Sequence, residues 1–130
     1  MSYTSFSMKH DAQFILNLIA QAIFDKKGMN ILALDLRNVS TITDYMIIAE
    51  GAVDRHLVAI AHSIEKSLEE VGEKPVRIEG LAEGDWIVLD YLEVMVHLFA
   101  PGLRERYQLE QLWKEGKLVE LNISLDPIQH

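Results

Sequence analysis

Two apolar runs, Trp86 to Asp90 and Val94 to Phe99, are separated only by Tyr91, Leu92 and Glu93. A linker that short closes a hairpin, but it cannot hold the helix-length crossover that joins parallel strands. At least one antiparallel pair is therefore built into the chain. That excludes an all-parallel, doubly wound sheet. The rest of the pattern extends this frame. Ile31 to Leu36 alternates, with Leu32, Leu34 and Leu36 on one face of a strand. Tyr45 to Ala49 is continuously apolar, as in a strand covered on both faces, and Val76 to Glu79 reads as a further strand.

Helical spacing fills the intervals. Ile15, Leu18, Ile19, Ala22 and Ile23 make one stripe behind Asp11 as N-cap, and Gly28 is expected to end that helix. A second helix is expected from Asp54, its cap, with Leu57, Ile60, Ala61, Ile64, Leu68 and Val71 inward and Gly72 as its stop. Pro101 opens a last helical region in which Leu109, Leu112 and Trp113 share a face. The expected fold is α/β of the α+β kind: a mixed β-sheet packed by helices. Residues 1–115 are read as one domain, and 116–130 as a weakly patterned C-terminal tail.

Composition narrows the function. With 130 residues, 49% of them apolar, the chain can bury one core, and disorder along its whole length is excluded. The longest apolar runs fall far short of a membrane span, and Met1 to His10 has neither the cations nor the apolar block of a leader. There is no cysteine, hence no disulfide, thiolate metal site or thiol nucleophile; this is compatible with a cytoplasmic protein. A net charge of −8 argues against binding nucleic acid through phosphate contacts and suits a cationic protein partner.

Candidate chemistry is sparse. Of the five histidines, His10 and His130 lie near the ends, where little order is expected. His56 and His62 fall about 240° apart around a helix, and His97 stands alone in an apolar strand. No metal site is expected. Asp35, Asp44 and Asp90 each sit at a strand end, where folding can bring acids together for magnesium or acid–base work; turn and cap roles are the stronger reading. Gly80-Leu81-Ala82-Glu83-Gly84 lacks the lysine of a phosphate-binding loop, and Ser40 to Thr43 lacks a glycine elbow. No cofactor is expected. Trp86, Val88 and Asp90 share one strand face opposite Ile87, Leu89 and Tyr91, so both faces are largely apolar. That surplus calls for helices on both sides or for a docking surface.

Several segments together resemble the ribosomal silencing factor family, also called iojap-like. They are Asp35-Leu36, Ser40-Thr41-Ile42-Thr43-Asp44-Tyr45-Met46-Ile47-Ile48, Arg55-His56, Glu79-Gly80, Trp86-Ile87-Val88-Leu89-Asp90, Val96-His97 and Tyr107-Gln108-Leu109-Glu110-Gln111-Leu112-Trp113. They run in order from about Lys26-Lys27 to Trp113. The resemblance implies a fold similar to that of nucleotidyltransferases, without their catalytic motif. It also implies a non-enzymatic adaptor that binds the large ribosomal subunit at a basic protein on its joining face, blocks the small subunit and lowers translation under starvation. A homodimer when free is a further implication. Trp86 matches the family's docking tryptophan; Val88, Asp90, Asp44 and His97 are carried over with it as partner-binding candidates.

The chain departs from the family pattern in three places. Leu92-Glu93 replaces Gly-Asp in the hairpin turn, and since Leu92 resists positive φ, a different turn type is expected. Asp54 stands where serine is common, and Gly28 replaces an alanine, which should only shorten the helix. The rival readings are a nucleotidyltransferase-like enzyme using Asp35, Asp44 or Asp90, and a large-subunit assembly factor.

Overall fold

The computed structural model describes residues 10–103 and 115–125. Helix α1 spans Ala12–Asp25 and α2 spans Asp54–Glu69; the strands are β1 (Met29–Asp35), β2 (Tyr45–Glu50), β3 (Arg77–Glu79), β4 (Trp86–Asp90), β5 (Val94–Phe99) and β6 (Lys117–Leu118). They form one six-stranded sheet in the order β3-β4-β5-β2-β1-β6. Only β2 and β5 are parallel; every other neighbouring pair is antiparallel. The hairpin forms as expected, with Trp86 opposite Phe99 and Asp90 opposite Met95. The fold is the expected mixed sheet packed by helices. The last helical region, with Leu109, Leu112 and Trp113, lies outside the described residues.

Both helices pack on one face of the sheet. Ile15, Leu16, Ile19 and Ile23 of α1 and Leu57, Ile60, Ile64 and Leu68 of α2 share a core with Ala33, Ile47, Ile87, Leu89, Val96 and Leu98. The opposite face carries a second cluster, Leu34, Leu36, Met46, Ile48 and Phe99, against which Leu32, Val39, Trp86 and Leu103 pack. The leucine face of β1 therefore points away from the helices, and Ala33 points toward them. β2 is buried on both faces, as its unbroken apolar run predicts.

Local details differ from the sequence reading. Asp11 occupies the N-cap of α1 without a side-chain cap hydrogen bond, and its carbonyl accepts from Ile15 N at 3.1 Å. Asp54 is the first residue of α2 and not its cap; Val53 holds that position, while Asp54 Oδ1 accepts from Arg55 N. At the end of α1 the left-handed residue is Lys27, with φ 69°, and not Gly28. Gly28 answers a different demand: its N–H reaches Ile23 O at 2.8 Å, and a Cβ there would overlap the Ile23 side chain. Gly72 ends α2 as expected, with Glu73 N donating to Leu68 O. Leu92, expected to avoid positive φ, adopts φ 74°. Two contacts hold it there: Leu92 N donates to Asp90 Oδ1 at 2.9 Å, and the Leu92 carbonyl lies 3.3 Å from Thr43 Oγ1.

The stretch after residue 115 does not trail away over its described part. Lys117 and Leu118 pair with Asp35 and Leu34, and Val119, Leu121 and Ile123 pack against the helix-side core. Gln13, Asn17 and Gln21, spaced one turn apart on α1, hydrogen-bond the backbone of Glu120, Asn122 and Ser124. These polar side chains satisfy main-chain groups that no strand pairs, which is why hydrophobic patterning alone misses the contact. His10, near the other end, is likewise held: its Nε2 lies 2.8 Å from Val71 O, and its ring sits 5.2 Å from that of Phe14.

Candidate functional site

The sheet face opposite the helices gathers Trp86, Val88 and His97. Strand alternation puts Trp86 and Val88 on that face of β4 and His97 and Phe99 on the same face of β5; the register sets Val88 opposite His97 and Trp86 opposite Phe99. Trp86 begins β4 after a turn in which Gly80 has φ 90°, and a Cβ at Gly80 would overlap the Trp86 carbonyl. Only glycine allows that approach, so Gly80 helps fix where the indole emerges.

The indole is held on two sides. Its ring stacks on Phe99 at 5.3 Å between centroids, and its Nε1–H donates to His97 Nδ1 at 3.1 Å. An indole nitrogen can only donate, so Nδ1 is an acceptor and the proton of the neutral imidazole sits on Nε2. That Nε2 is buried and has no hydrogen-bond partner among the described residues. Burial lowers the His97 pKa from 6.5 to about 4. The indole N–H already pointing at Nδ1 opposes an added proton as well. His97 is thus a neutral acceptor that orients Trp86, while Trp86 keeps part of its surface in solvent. Phe99 and Met46 complete this face. A position two residues after His97 on one strand was the only signal that could have singled out Phe99.

The acids are not brought together. Asp90 shares the β4 face but is 8% exposed and tied inward, accepting from Arg77 Nη2 at 3.0 Å and from the Leu92 amide. Asp44 is exposed in the loop before β2. Asp35 takes a two-point bond from Arg37, at 3.0 and 2.8 Å, and that hydrogen bonding holds its carboxyl below the usual carboxylate range. The three lie at the same end of the sheet, but Asp35 and Asp90 are three strand spacings apart, about 14 Å. No group of three or more His, Asp or Glu side chains converges on a metal-sized site among the described residues. His56 serves the fold, joining the start of α2 to the end of α1. Its Nδ1 accepts from Ala52 N at 2.8 Å and its Nε2–H donates to Lys26 O at 2.6 Å. His62 lies beside Glu65.

The comparisons with known proteins point the same way. A family model described as ribosomal silencing factor during starvation matches residues 9–129. Ribosomal silencing factor RsfS of Bacillus subtilis is 36% identical over 112 residues, covering 86% of this chain and 95% of that protein. A mouse protein named mitochondrial assembly of ribosomal large subunit protein 1 is 30% identical over 105 residues, which are 78% of this chain and 46% of its own. Among solved structures, a Chromobacterium violaceum protein superposes with a TM-score of 0.77 at 32% identity, covering 90% of this chain and 97% of that one. A Bacillus halodurans protein gives 0.74 at 35% identity, covering 84% and 99%. No helix among the described residues is long and apolar enough to cross a membrane. The bacterial relatives are named for silencing ribosomes and the mouse protein for assembling the large subunit, none of them for an enzymatic reaction, and the chain belongs to the ribosomal silencing factor (RsfS) family.

Proposed function

We propose that this protein binds the large ribosomal subunit in the cytoplasm, at a basic ribosomal protein on the joining face, and sterically prevents the small subunit from associating. The observation that carries the reading is the half-buried Trp86, clamped by His97 and Phe99 on the sheet face away from the helices. A rigid, partly exposed indole is the kind of anchor that concentrates binding energy at the centre of an interface. Val88 widens the apolar contact. Asp90 sets the shape of the adjoining turn, and the exposed Asp44 supplies negative charge at the rim. The net charge of −8 steers the chain toward a cationic protein, with little direct contact to nucleic acid. When free, the protein pairs with a second copy of itself.

Sedimentation of mixed large and small subunits tests this. Added protein should shift joined ribosomes to separate subunits and travel with the large one. Co-sedimentation with fully joined ribosomes would overturn the steric mechanism. A second reading, a role in building the large subunit, is favoured by the name of the mouse relative. It predicts that loss of the protein leaves precursor large particles even where subunit joining is unchanged.

A further inference from the structure

Strand β3 has a strand neighbour on one side only among the described residues. Beside it, toward α2, lies a cavity of about 430 Å³ lined by Glu65, Glu69, Glu73, Lys74, Val76 and Ile78 among others. Arg77, at the same place, is engaged by Asp90 at 3.0 Å and Glu79 at 3.5 Å, which leaves Lys74 as the remaining cation of the lining. The acids crowd the C-terminal end of α2, where the helix dipole is already negative and only Lys66 is basic in the last turn. Tyr91 is 3% exposed, and its hydroxyl has no hydrogen-bond partner among the described residues. Burial first, and then the nearby carboxylates of Glu65 and Glu73, oppose its ionisation, so it stays a neutral phenol whose oxygen can accept a hydrogen bond.

These features do not describe a metal site, because the carboxylates do not converge. They are spread at a spacing that suits a strand. Glu65 and Glu69 are one helical turn apart, about 6 Å along the axis, and alternate side chains of an extended segment are about 6.8 Å apart. Ile78 packs on the helix-side core, so every second side chain of a strand laid beside β3 would face α2. A second copy of this chain paired edge to edge would bring two acidic sets together, which like-charge repulsion disfavours.

We propose that the free edge of β3 and the Glu65–Glu69–Glu73 cavity receive an extended segment of a partner protein carrying Lys or Arg at alternate positions, which adds to the sheet as a further strand. This surface is distinct from the one around Trp86 and does not depend on it.

The test uses fluorescence anisotropy of the full chain with a short labelled peptide of alternating Lys and Thr. A block-ordered peptide of the same composition and an alternating Glu and Thr peptide serve as controls. Saturable binding of the alternating peptide is expected, with the block-ordered one weaker by about tenfold and the acidic one unbound. The double variant Glu65→Gln/Glu69→Gln should lose about tenfold while melting as the parent does, and Trp86→Ala should leave peptide binding unchanged. The proposal is overturned by absence of saturable binding, by equal affinity for the block-ordered peptide, by full affinity in the double variant, or by a sedimentation shift showing that the double variant gains or loses a dimer through this edge.

Discussion

Facing α1 and α2, the sheet presents Ala33, Ile47, Ala49, Ile87, Leu89, Val96 and Leu98, each at most 1% exposed and none with a polar side-chain atom. The opposite face is built from the same strands by the same alternation, yet it holds the indole of Trp86, the imidazole of His97 and a buried nitrogen without a partner among the described residues. Burying polar atoms costs stability unless each is matched. A face selected for folding alone would be expected to resemble the first. The unmatched atom does not by itself set the second face apart, because the buried Tyr91 hydroxyl beside the helix-side core has no partner among the described residues either. Its fixed geometry and half-buried aromatic anchor do, and both suit the proposed recognition more than cohesion.

The largest effect that distinguishes the faces is on folding. Ile47 is fully buried on the helix side, and Ile47→Ala should destabilise the protein by about 4 kcal/mol, because truncation leaves a cavity among packed side chains. Urea unfolding measures it. A loss below about 1 kcal/mol would mean that the helix side is not the rigid face.

The next effect belongs to His97 and is read by pH. Its folded pKa of about 4 lies below the ordinary 6.5, so the unfolded chain takes up a proton that the folded one refuses. Its contribution is therefore complete above pH 6.5, is lost as pH falls from 6.5 toward 4, and changes no further below that. The full span is about 3 kcal/mol. Asp35 acts in a lower window: hydrogen bonding to Arg37 lowers its pKa from 3.8, so its contribution fades only as pH falls below the usual carboxylate range. In His97→Asn the amide oxygen can still accept the Trp86 indole proton, but nothing titrates there. Melts between about pH 7 and 4 should show a flatter slope for this variant; an unchanged slope would exclude His97 as the source.

Trp86→Ala separates the proposed recognition from folding. Trp86→Ala gives up a ring stack and one hydrogen bond at a partly exposed position, a folding loss of about 1–2 kcal/mol, below that of Ile47→Ala. Capture of the large subunit should fall by about thirtyfold, the equivalent of ~2 kcal/mol. Co-sedimentation beside thermal melts gives both numbers. Normal capture by the variant would remove Trp86 from the docking surface.

Much of this architecture was legible because hydrophobic period and linker length are local properties. The short Tyr91–Glu93 link dictates the hairpin, and the stripes from Ile15 and Leu57 define both helices. Which sheet face the helices cover was not legible, since Leu32, Leu34 and Leu36 look like the core side of β1. The helices instead pack over Ala33. Trp86 and Val88 share a face by simple parity, but it is the register between two strands that brings His97 to that face and allows the Nε1–Nδ1 bond. Asp90 reads as a turn residue, and the structure gives it that role; its partner Arg77 lies on a strand whose pairing no local pattern announces.

The smallest effect concerns the turn that links the two strands of the proposed recognition face. Leu92 has φ 74° and is 47% exposed, so it carries left-handed strain with little burial in return. A non-glycine residue in that region costs about 1–2 kcal/mol, and glycine removes the strain while adding unfolded-state entropy of about 0.4–1 kcal/mol. Leu92→Gly should therefore stabilise the protein by about 0.5–1 kcal/mol, raising its melting temperature by a few degrees. The Asp90 bond to the Leu92 amide involves the backbone and survives the change. Asp90→Ala should have the opposite sign, because it frees the amide and also strips Arg77 of its 3.0 Å partner. If Leu92→Gly keeps or gains stability but weakens capture of the large subunit, the exposed leucine belongs to the docking surface, and the recognition face extends from Trp86 around the end of the hairpin. If capture is unchanged, that face ends at the strands.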